Sequence, residues 1–369
     1  MRKIPYNAVD SRGKPISSFV EAESSSAAMS ELRARGYTEI VLAGDGLTAM
    51  ARPDLDGLSE KDLASVGEFE ATIRAGAGLF GFLLEVLRKG WFVVATGLLI
   101  ALWGWRADSV IGLAAGSVIT SAIFVIALWN YRVLMRYDDL LRCEALGDGD
   151  RARGLINALR PAMVQPEMAF DLAVREACFT AQSGSYDDAF AIVAEHRDVL
   201  ATSNPGLFEA RVAAVCHAAG RYDDVIAYMR DACEKSGESP TALVDLALAH
   251  ARFGDVATAA ALVDRIVIDE LPAFGMPFVV WIKGLVILRT GDGDPLPYLR
   301  DAVTGLLEFA DMPPVWTSLG VCTGYYALAL ADIDETAAAG LIENVRAVVM
   351  THGDSTMKAQ IAGRFPDPG

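Results

Sequence analysis

Two almost uninterrupted apolar runs lie close together in the first half of the chain, over Trp91–Trp105 and Ser109–Tyr131. The second run contains 23 uncharged residues, and a helix rising about 1.5 Å per residue needs about 20 to cross a bilayer core of about 30 Å. The first run is shorter, so its helix would need tilting or local bilayer thinning. The pattern predicts a transmembrane hairpin over about residues 90–105 and 109–131. The alternative is that one or both runs are core helices of a soluble domain.

The ends of the two runs favour the membrane interpretation. Aromatic side chains are enriched at the lipid–water boundary, and basic residues are enriched on the cytoplasmic side. The flanking residues of these two types are Arg88, Lys89, Trp91, Trp105, Trp129, Tyr131, Arg132 and Arg136. Because basic residues precede the first run and follow the second, we expect a bacterial inner-membrane protein with both termini in the cytoplasm. The apolar segment Leu79–Leu87 is expected to lie on the membrane surface before the first span.

A longer period recurs through the remainder of the chain. A turn signal returns every 34 to 40 residues, and a small residue lies seven positions before five of the six turns. The turns begin at Gly147, Gly184, Gly220, Gly254, Gly291 and Ala331, and the small residues are Ala177, Ala213, Ala247, Gly284 and Gly324. A small side chain lets the next helix pack closely, so we expect Ala213 and Ala247 to be buried at helix crossings. The pattern predicts stacked helical hairpins, with an unrepeated helical bundle as the alternative.

These hairpins resemble tetratricopeptide repeats. The segments GSYDDA (Gly184–Ala189) and GRYDDV (Gly220–Val225) fit that family's pattern at the start of the second helix. The resemblance implies a groove that binds a protein or peptide. We expect Tyr186 and Tyr222 to contact that partner.

The first 50 residues are predicted to form a small α+β unit, with strands over about 4–8, 16–22 and 40–42 and a helix over 24–34. The unit contains the pattern Tyr6-x-Ala8-x-Asp10-x-x-Gly13-Lys14, then Glu21-Ala22-x-Ser24, Ala28 and Leu32-Arg33-x-x-Gly36. This spacing is similar to the N-terminal segment of the type II secretion F and type IV pilus C inner-membrane platform proteins. The resemblance implies a shared small fold at a cytoplasmic N-terminus, and it transfers no catalytic residue.

The fold class that follows is mostly α, with four segments. Residues 1–50 form the α+β module, and residues 51–78 form a linker with a short helix. Residues 79–136 contain the surface helix and the transmembrane hairpin. Residues 137–369 form an α-solenoid similar to tetratricopeptide repeats.

Charge narrows the range of partners. Residues 138–369 contain 18 basic and 34 acidic residues, so the whole net charge of −16 lies after the apolar runs. An acidic surface repels phosphate backbones, which argues against nucleic-acid binding. It favours a basic protein or peptide partner.

The sequence gives no pattern typical of catalysis. The five cysteines lie in apolar helical patterns, the four histidines are scattered, and Gly147–Asp150 and Gly291–Asp294 do not continue into a calcium loop. We therefore expect a protein that is not an enzyme and uses no cofactor or metal. The leading hypothesis is a membrane-anchored adaptor or scaffold, and the alternative is an accessory part of a secretion or pilus assembly machine. The sequence leaves the oligomeric state open.

Overall fold

The computed structural model describes residues 2–9, 15–22, 32, 35, 37–42, 58, 60–67, 79–198 and 204–366. Over these residues the protein is mostly helical, which confirms the predicted mostly α class. The described helices are α1 (Glu60–Gly67), α2 (Leu79–Arg106), α3 (Val110–Leu146), α4 (Gly149–Leu159), α5 (Pro166–Gln182), α6 (Tyr186–Ala194), α7 (Leu207–Ala218), α8 (Tyr222–Lys235), α9 (Pro240–Phe253), α10 (Val256–Val263), α11 (Met276–Thr290), α12 (Leu296–Leu307), α13 (Pro313–Leu330), α14 (Glu335–His352) and α15 (Ser355–Arg364).

Three strands precede the helices: β1 (Arg2–Val9), β2 (Pro15–Ala22) and β3 (Thr38–Leu42). They form a sheet in the order β2-β1-β3, and β1 pairs antiparallel with both neighbours. The helix predicted over residues 24–34 lies outside the described residues apart from Leu32.

Helices α2 and α3 pack on each other as a hairpin closed by a turn at Ala107 and Asp108. Ser109 is the N-cap residue of α3, and its hydroxyl accepts a hydrogen bond from the Gly112 amide at 3.2 Å. The helices approach closely because small residues face the contact: a Cβ atom added at Gly116 would overlap the backbone nitrogen of Ala101.

Both hairpin helices extend beyond the predicted spans. Leu79–Leu87 forms the first turns of α2 and is continuous with the first predicted span. No proline interrupts α2, and each of its four glycines costs only about 1 kcal/mol relative to alanine. Helix α3 runs on past Arg136 to Leu146. The predicted boundary between residues 136 and 137 therefore lies inside one continuous helix.

Length and hydropathy single out a different helix as a possible membrane span. Among the described residues, the stretch Ala273–Thr290 meets both criteria, with a mean hydropathy of 1.5, and half of it is buried within the protein. Its Trp281 and Ile282 are almost completely buried, as expected for a core helix. In the second predicted span, the described apolar run Val110–Ala122 is shorter than 18 residues. These criteria do not support a protein that crosses the membrane twice.

From α3 onward the chain forms a helical repeat-like stack. Each of the six turn signals lies between two consecutive helices. Four of the turn glycines have a left-handed backbone with φ between 72° and 91°, which strains any residue with a Cβ atom and ends the preceding helix. These glycines are Gly147, Gly184, Gly220 and Gly291.

The small residues before the turns lie at close helix contacts. Ala213 and Ala247 are fully buried, which confirms that expectation. A Cβ atom added at Gly284 would lie 2.8 Å from Leu299 Cδ2, too close for a real contact. The core of the stack therefore depends on small side chains seven positions before five of the six turns.

The last repeat packs back against the first. Helix α14 contacts α3, and the carbonyl oxygen of Glu144 lies 2.8 Å from His352 Nε2, which donates its proton to that oxygen. Thr351 also fills the space beside Gly147. The stack consequently closes onto the helix that continues from the hairpin.

Replacing Ala213 with Leu tests this packing. We expect the added methylene groups to overpack the crossing and lower the free energy of unfolding by about 1–3 kcal/mol. Urea unfolding of the full chain in detergent, followed by circular dichroism, measures the change. Ala227→Leu on the exposed face of α8 is the matched control and should change stability little. Equal stability of the two variants would contradict the burial of Ala213.

Candidate functional site

A cavity of about 720 Å³ lies where several repeats meet the end of the chain. The last turns of α9, α11 and α13 line one side of it. Tyr222 at the start of α8 and the residues of α15 line the rest. The later repeats therefore contribute residues beside their turns, and α15 completes the wall.

One of the two predicted partner-binding tyrosines lies in this cavity. The ring of Tyr222 stacks on Phe253 with 4.6 Å between ring centroids and 9° between planes. Its hydroxyl accepts a hydrogen bond from the Ser355 amide at 3.1 Å. Tyr222 thus already holds the start of α15 against the cavity.

The other tyrosine lies elsewhere. The Tyr186 hydroxyl is 3.4 Å from Cys216 Sγ, and the guanidinium of Arg221 lies 4.0 Å above its ring centroid. Tyr186 is not among the residues that line the cavity. The structure therefore does not bring the two predicted residues into one site.

Two arginines give the cavity its chemistry. Arg289 donates to the carbonyl oxygens of His250 at 3.1 Å, Ala251 at 2.8 Å and Gly254 at 3.0 Å, at the end of α9. Arg252 donates to the His352 carbonyl at 3.2 Å, and its buried Nε has no hydrogen-bond partner among the residues that the structure describes. Neither guanidinium forms a salt bridge with a carboxylate within the described part of the chain.

The carboxylates of the cavity, in contrast, have partners. Asp354 accepts hydrogen bonds from the Tyr325 hydroxyl at 2.5 Å and from the Met357 amide at 2.9 Å. Asp332 accepts from Arg364 at 2.6 Å. Two positive charges therefore remain uncompensated by contact carboxylates inside a domain whose overall charge is strongly negative. Such a site can accept a carbonyl or carboxylate group from a ligand.

Arg252 and Arg289 were not predicted as site residues, although the sequence contains a signal for them. Each lies two positions before a repeat turn, at Gly254 and Gly291. The equivalent positions before the other four turns are occupied by Ala145, Gln182, Ala218 and Ala329. A comparison of that position across the repeats would have identified them.

A second, smaller cavity of about 270 Å³ contains titratable groups. Burial, reinforced by the positive charges of Lys358 and Arg252, lowers the pKa of His352 to about 4. Burial also lowers the pKa of His217, whose buried Nε2 has no hydrogen-bond partner within the described part of the chain. Asp245 also lines this cavity, and desolvation raises the pKa of its carboxyl group to about 6. Part of the residue remains exposed to solvent.

The remaining candidate residues show no reactive arrangement. The five cysteines are all buried and unbridged, and burial raises the pKa of Cys178 to about 12, which keeps the thiol protonated. Among the described residues, no three His, Cys, Asp or Glu side chains are grouped as metal ligands. Of the membrane-flank residues, Trp91, Trp105 and Trp129 are exposed, as are Arg132 and Arg136, whereas Tyr131 is partly buried. Arg88 and Lys89 lie within α2.

His352→Gln tests the neutral state of this histidine. Because its folded pKa lies below the unfolded value of 6.5, its contribution to stability is present above pH 6.5 and is lost as pH falls towards 4. We expect the stability of the wild type relative to the variant to rise by roughly 2–3 kcal/mol from pH 4 to 7. Urea unfolding across this range measures it.

Asp245→Asn is the control with the opposite sign. The raised pKa of Asp245 means that its contribution is present below pH 3.8 and is lost as pH rises through about 6. A His352→Gln difference that does not change with pH would show that His352 is not held neutral by burial.

Comparison with known proteins adds no relative. No protein-family model matches the chain, and no curated protein or solved structure shows significant similarity to it.

Proposed function

We propose that this protein is a membrane-anchored adaptor. Helices α2 and α3 cross a bacterial inner membrane as a hairpin, both termini lie in the cytoplasm, and the helical repeat stack binds a segment of a partner protein. The observation that carries the proposal is the contrast between the two parts of the described structure. The hairpin exposes its apolar side chains, whereas the stack buries them.

The exposed apolar surface of the hairpin supports the anchor. Among the residues whose burial the structure describes, fifteen of the twenty-five exposed large apolar side chains lie between residues 91 and 129. They are Trp91, Phe92, Leu98, Leu99, Leu102, Trp103, Trp105, Val110, Ile111, Val118, Ile119, Val125, Ile126, Leu128 and Trp129. Soluble monomers rarely expose contiguous apolar patches larger than a few hundred Å². A bilayer removes this surface from water at a gain of roughly 25 cal/mol per Å².

The stack has the features of a protein-binding repeat. Its turns, its small residues at helix crossings and the tyrosines that open α6 and α8 resemble tetratricopeptide repeats, a family of binding scaffolds. The 720 Å³ cavity supports a binding site for a partner segment, with Arg252 and Arg289 as donors to a backbone carbonyl or carboxylate. The net charge of −16 would steer a partner with basic residues towards the domain.

The alternative is an accessory part of a secretion or pilus assembly machine. It is supported by the sequence pattern of the first 50 residues, which resembles the platform proteins of those machines. In that case residues 1–50 form a small α+β module, and the captured partner would be another component of the machine.

Topology reporters test the anchor. Fusions of a periplasm-active and a cytoplasm-active reporter at residue 60 and after residue 369 should both report the cytoplasm, because two spans return the chain to its starting side. A fusion in the turn at Ala107 should report the periplasm. A periplasmic signal from either terminus would contradict the hairpin.

Photo-crosslinking from the cavity tests partner binding. A photoreactive residue at Leu328, which lines the cavity, should crosslink a partner in membranes, and the same residue at exposed Val267 should not. Arg252→Gln and Arg289→Gln should each lower the crosslinked yield about tenfold, since a hydrogen bond to a charged group contributes about 1.5–3 kcal/mol.

Arg265→Gln is the matched control, because Arg265 is about half exposed and pairs with Glu238 away from the cavity. Circular dichroism shows whether each variant folds. Undiminished crosslinking by folded Arg252→Gln and Arg289→Gln variants would contradict the cavity as the binding site.

A further inference from the structure

An apolar recess lies between α3 and the connection from α4 to α5. Its volume is about 600 Å³, and Val133, Leu134, Tyr137, Met163 and Met168 line it together with Glu167 and Asp171. Of the lining residues, Leu134 is 49 % exposed and Met168 is 39 % exposed, and Val164, which follows the lining residue Met163 in the chain, is 81 % exposed. We term these three side chains together with the recess the interfacial patch.

The position of the patch along α3 determines what can cover it. Helix α3 is continuous from Val110 to Leu146, so distances along it follow from a rise of about 1.5 Å per residue. Leu134 lies about 4.5 Å beyond Tyr131, the end of the second apolar run, and Tyr137 lies about 9 Å beyond it. A headgroup layer occupies roughly 5–7 Å on each side of the hydrocarbon core. If the hairpin spans the bilayer, the patch lies at the depth of that layer.

The charged residues around the patch are also compatible with a lipid headgroup layer. Arg132 and Arg136 are exposed on this segment of α3, where they can meet anionic lipid headgroups. The Asp171 carboxylate accepts hydrogen bonds from Tyr137 at 2.6 Å and from Arg175 at 2.9 Å, and Arg175 also pairs with Glu144. Its negative charge is therefore compensated within the protein. Glu167 is the one lining carboxylate for which the described residues show no ion pair.

We infer that the interfacial patch inserts into the cytoplasmic headgroup layer of the membrane and takes lipid in its recess. The occupant is phospholipid, with its upper acyl segments against Val164 and Met168 and its headgroups near Arg132 and Arg136. The repeat stack is thereby held in one orientation on the bilayer. This inference rests on the proposed hairpin, which places residue 131 at the membrane boundary.

Site-directed spin labelling of the full chain tests the inference. The protein is reconstituted in vesicles of phosphatidylcholine and phosphatidylglycerol, with a nitroxide on Val164→Cys, and the accessibility of the label to oxygen and to a water-soluble nickel chelate is compared. The five native cysteines are buried and should not label in the folded protein. Val125→Cys reports the hairpin, and Ile333→Cys, at a site 75 % exposed on the stack, reports water.

We expect the label at residue 164 to be oxygen-accessible and shielded from nickel, with values between those at residues 125 and 333. A residue 164 label as exposed to nickel as the one at residue 333, with residue 125 in lipid, would overturn the inference and leave the hairpin intact. An aqueous label at residue 125 would instead overturn the hairpin itself. Shielding that disappears as the protein-to-lipid ratio is lowered would show that a second copy covers the patch, which also contradicts the inference.

A charge substitution provides a second readout. Val164→Asp should leave thermal unfolding in detergent unchanged, because the side chain is mostly exposed. In vesicles it should draw the loop out of the headgroup layer and raise the nickel accessibility of a label at Met168 several-fold. Ile333→Asp is the matched control and should leave the Met168 label unchanged. An unchanged Met168 label in both variants would contradict insertion.

Discussion

One continuous helix, α3, connects the two parts of this protein, and the arrangement of the rest depends on it. Its first half packs against α2 through small residues, and its second half forms the first helix of the repeat stack. Because no break separates the two halves, the position of the hairpin determines the position of the stack. The last repeat reinforces this connection, since His352 bonds to the Glu144 carbonyl on α3 across 208 residues of sequence.

A polar cluster fixes the stack at the same helix. Arg175 on α5 pairs with Glu144 and Asp171, and its guanidinium lies 5.3 Å from the ring centroid of Tyr137 on α3. The Arg175 side chain is 13 % exposed, and burial lowers the pKa of Arg175 and raises that of Tyr137. Removing one partner from such a cluster leaves a buried charge uncompensated, which is more costly than the favourable contribution of the pair. Ion pairs and hydrogen bonds therefore fix the register between α3 and α5 in addition to packing.

Local signals in the sequence predicted much of this architecture, because the relevant interactions are local. A left-handed glycine ends a helix wherever it occurs, so the turns at Gly184 and Gly220 could be located from spacing alone. The burial of Ala213 follows from its fixed distance to such a turn. The continuity of α2 through Arg88 and Lys89 could not be predicted from the apolar run, because the run begins at Trp91 whereas helical hydrogen bonding tolerates the charged residues before it.

The candidate site was predictable only in part. Tyr222 lies in the cavity, but the sequence pattern could not show that α15 would bond to its hydroxyl, since that contact joins residues 133 positions apart. Long-range closure of this kind leaves no periodic signal. Arg252 and Arg289 do stand out at equivalent repeat positions, yet their importance depends on the absence of contact carboxylates within the described structure, which composition does not reveal. An acidic domain can therefore contain a locally cationic cavity.

Alkaline carbonate extraction of membranes that contain the full chain tests the central claim most directly. High pH strips proteins held at the surface by charge or by partner binding, whereas a bilayer-spanning hairpin remains because its apolar surface would return to water. The account predicts that the protein stays in the membrane pellet and is released only by detergent. Quantitative recovery of the chain in the carbonate supernatant would contradict it.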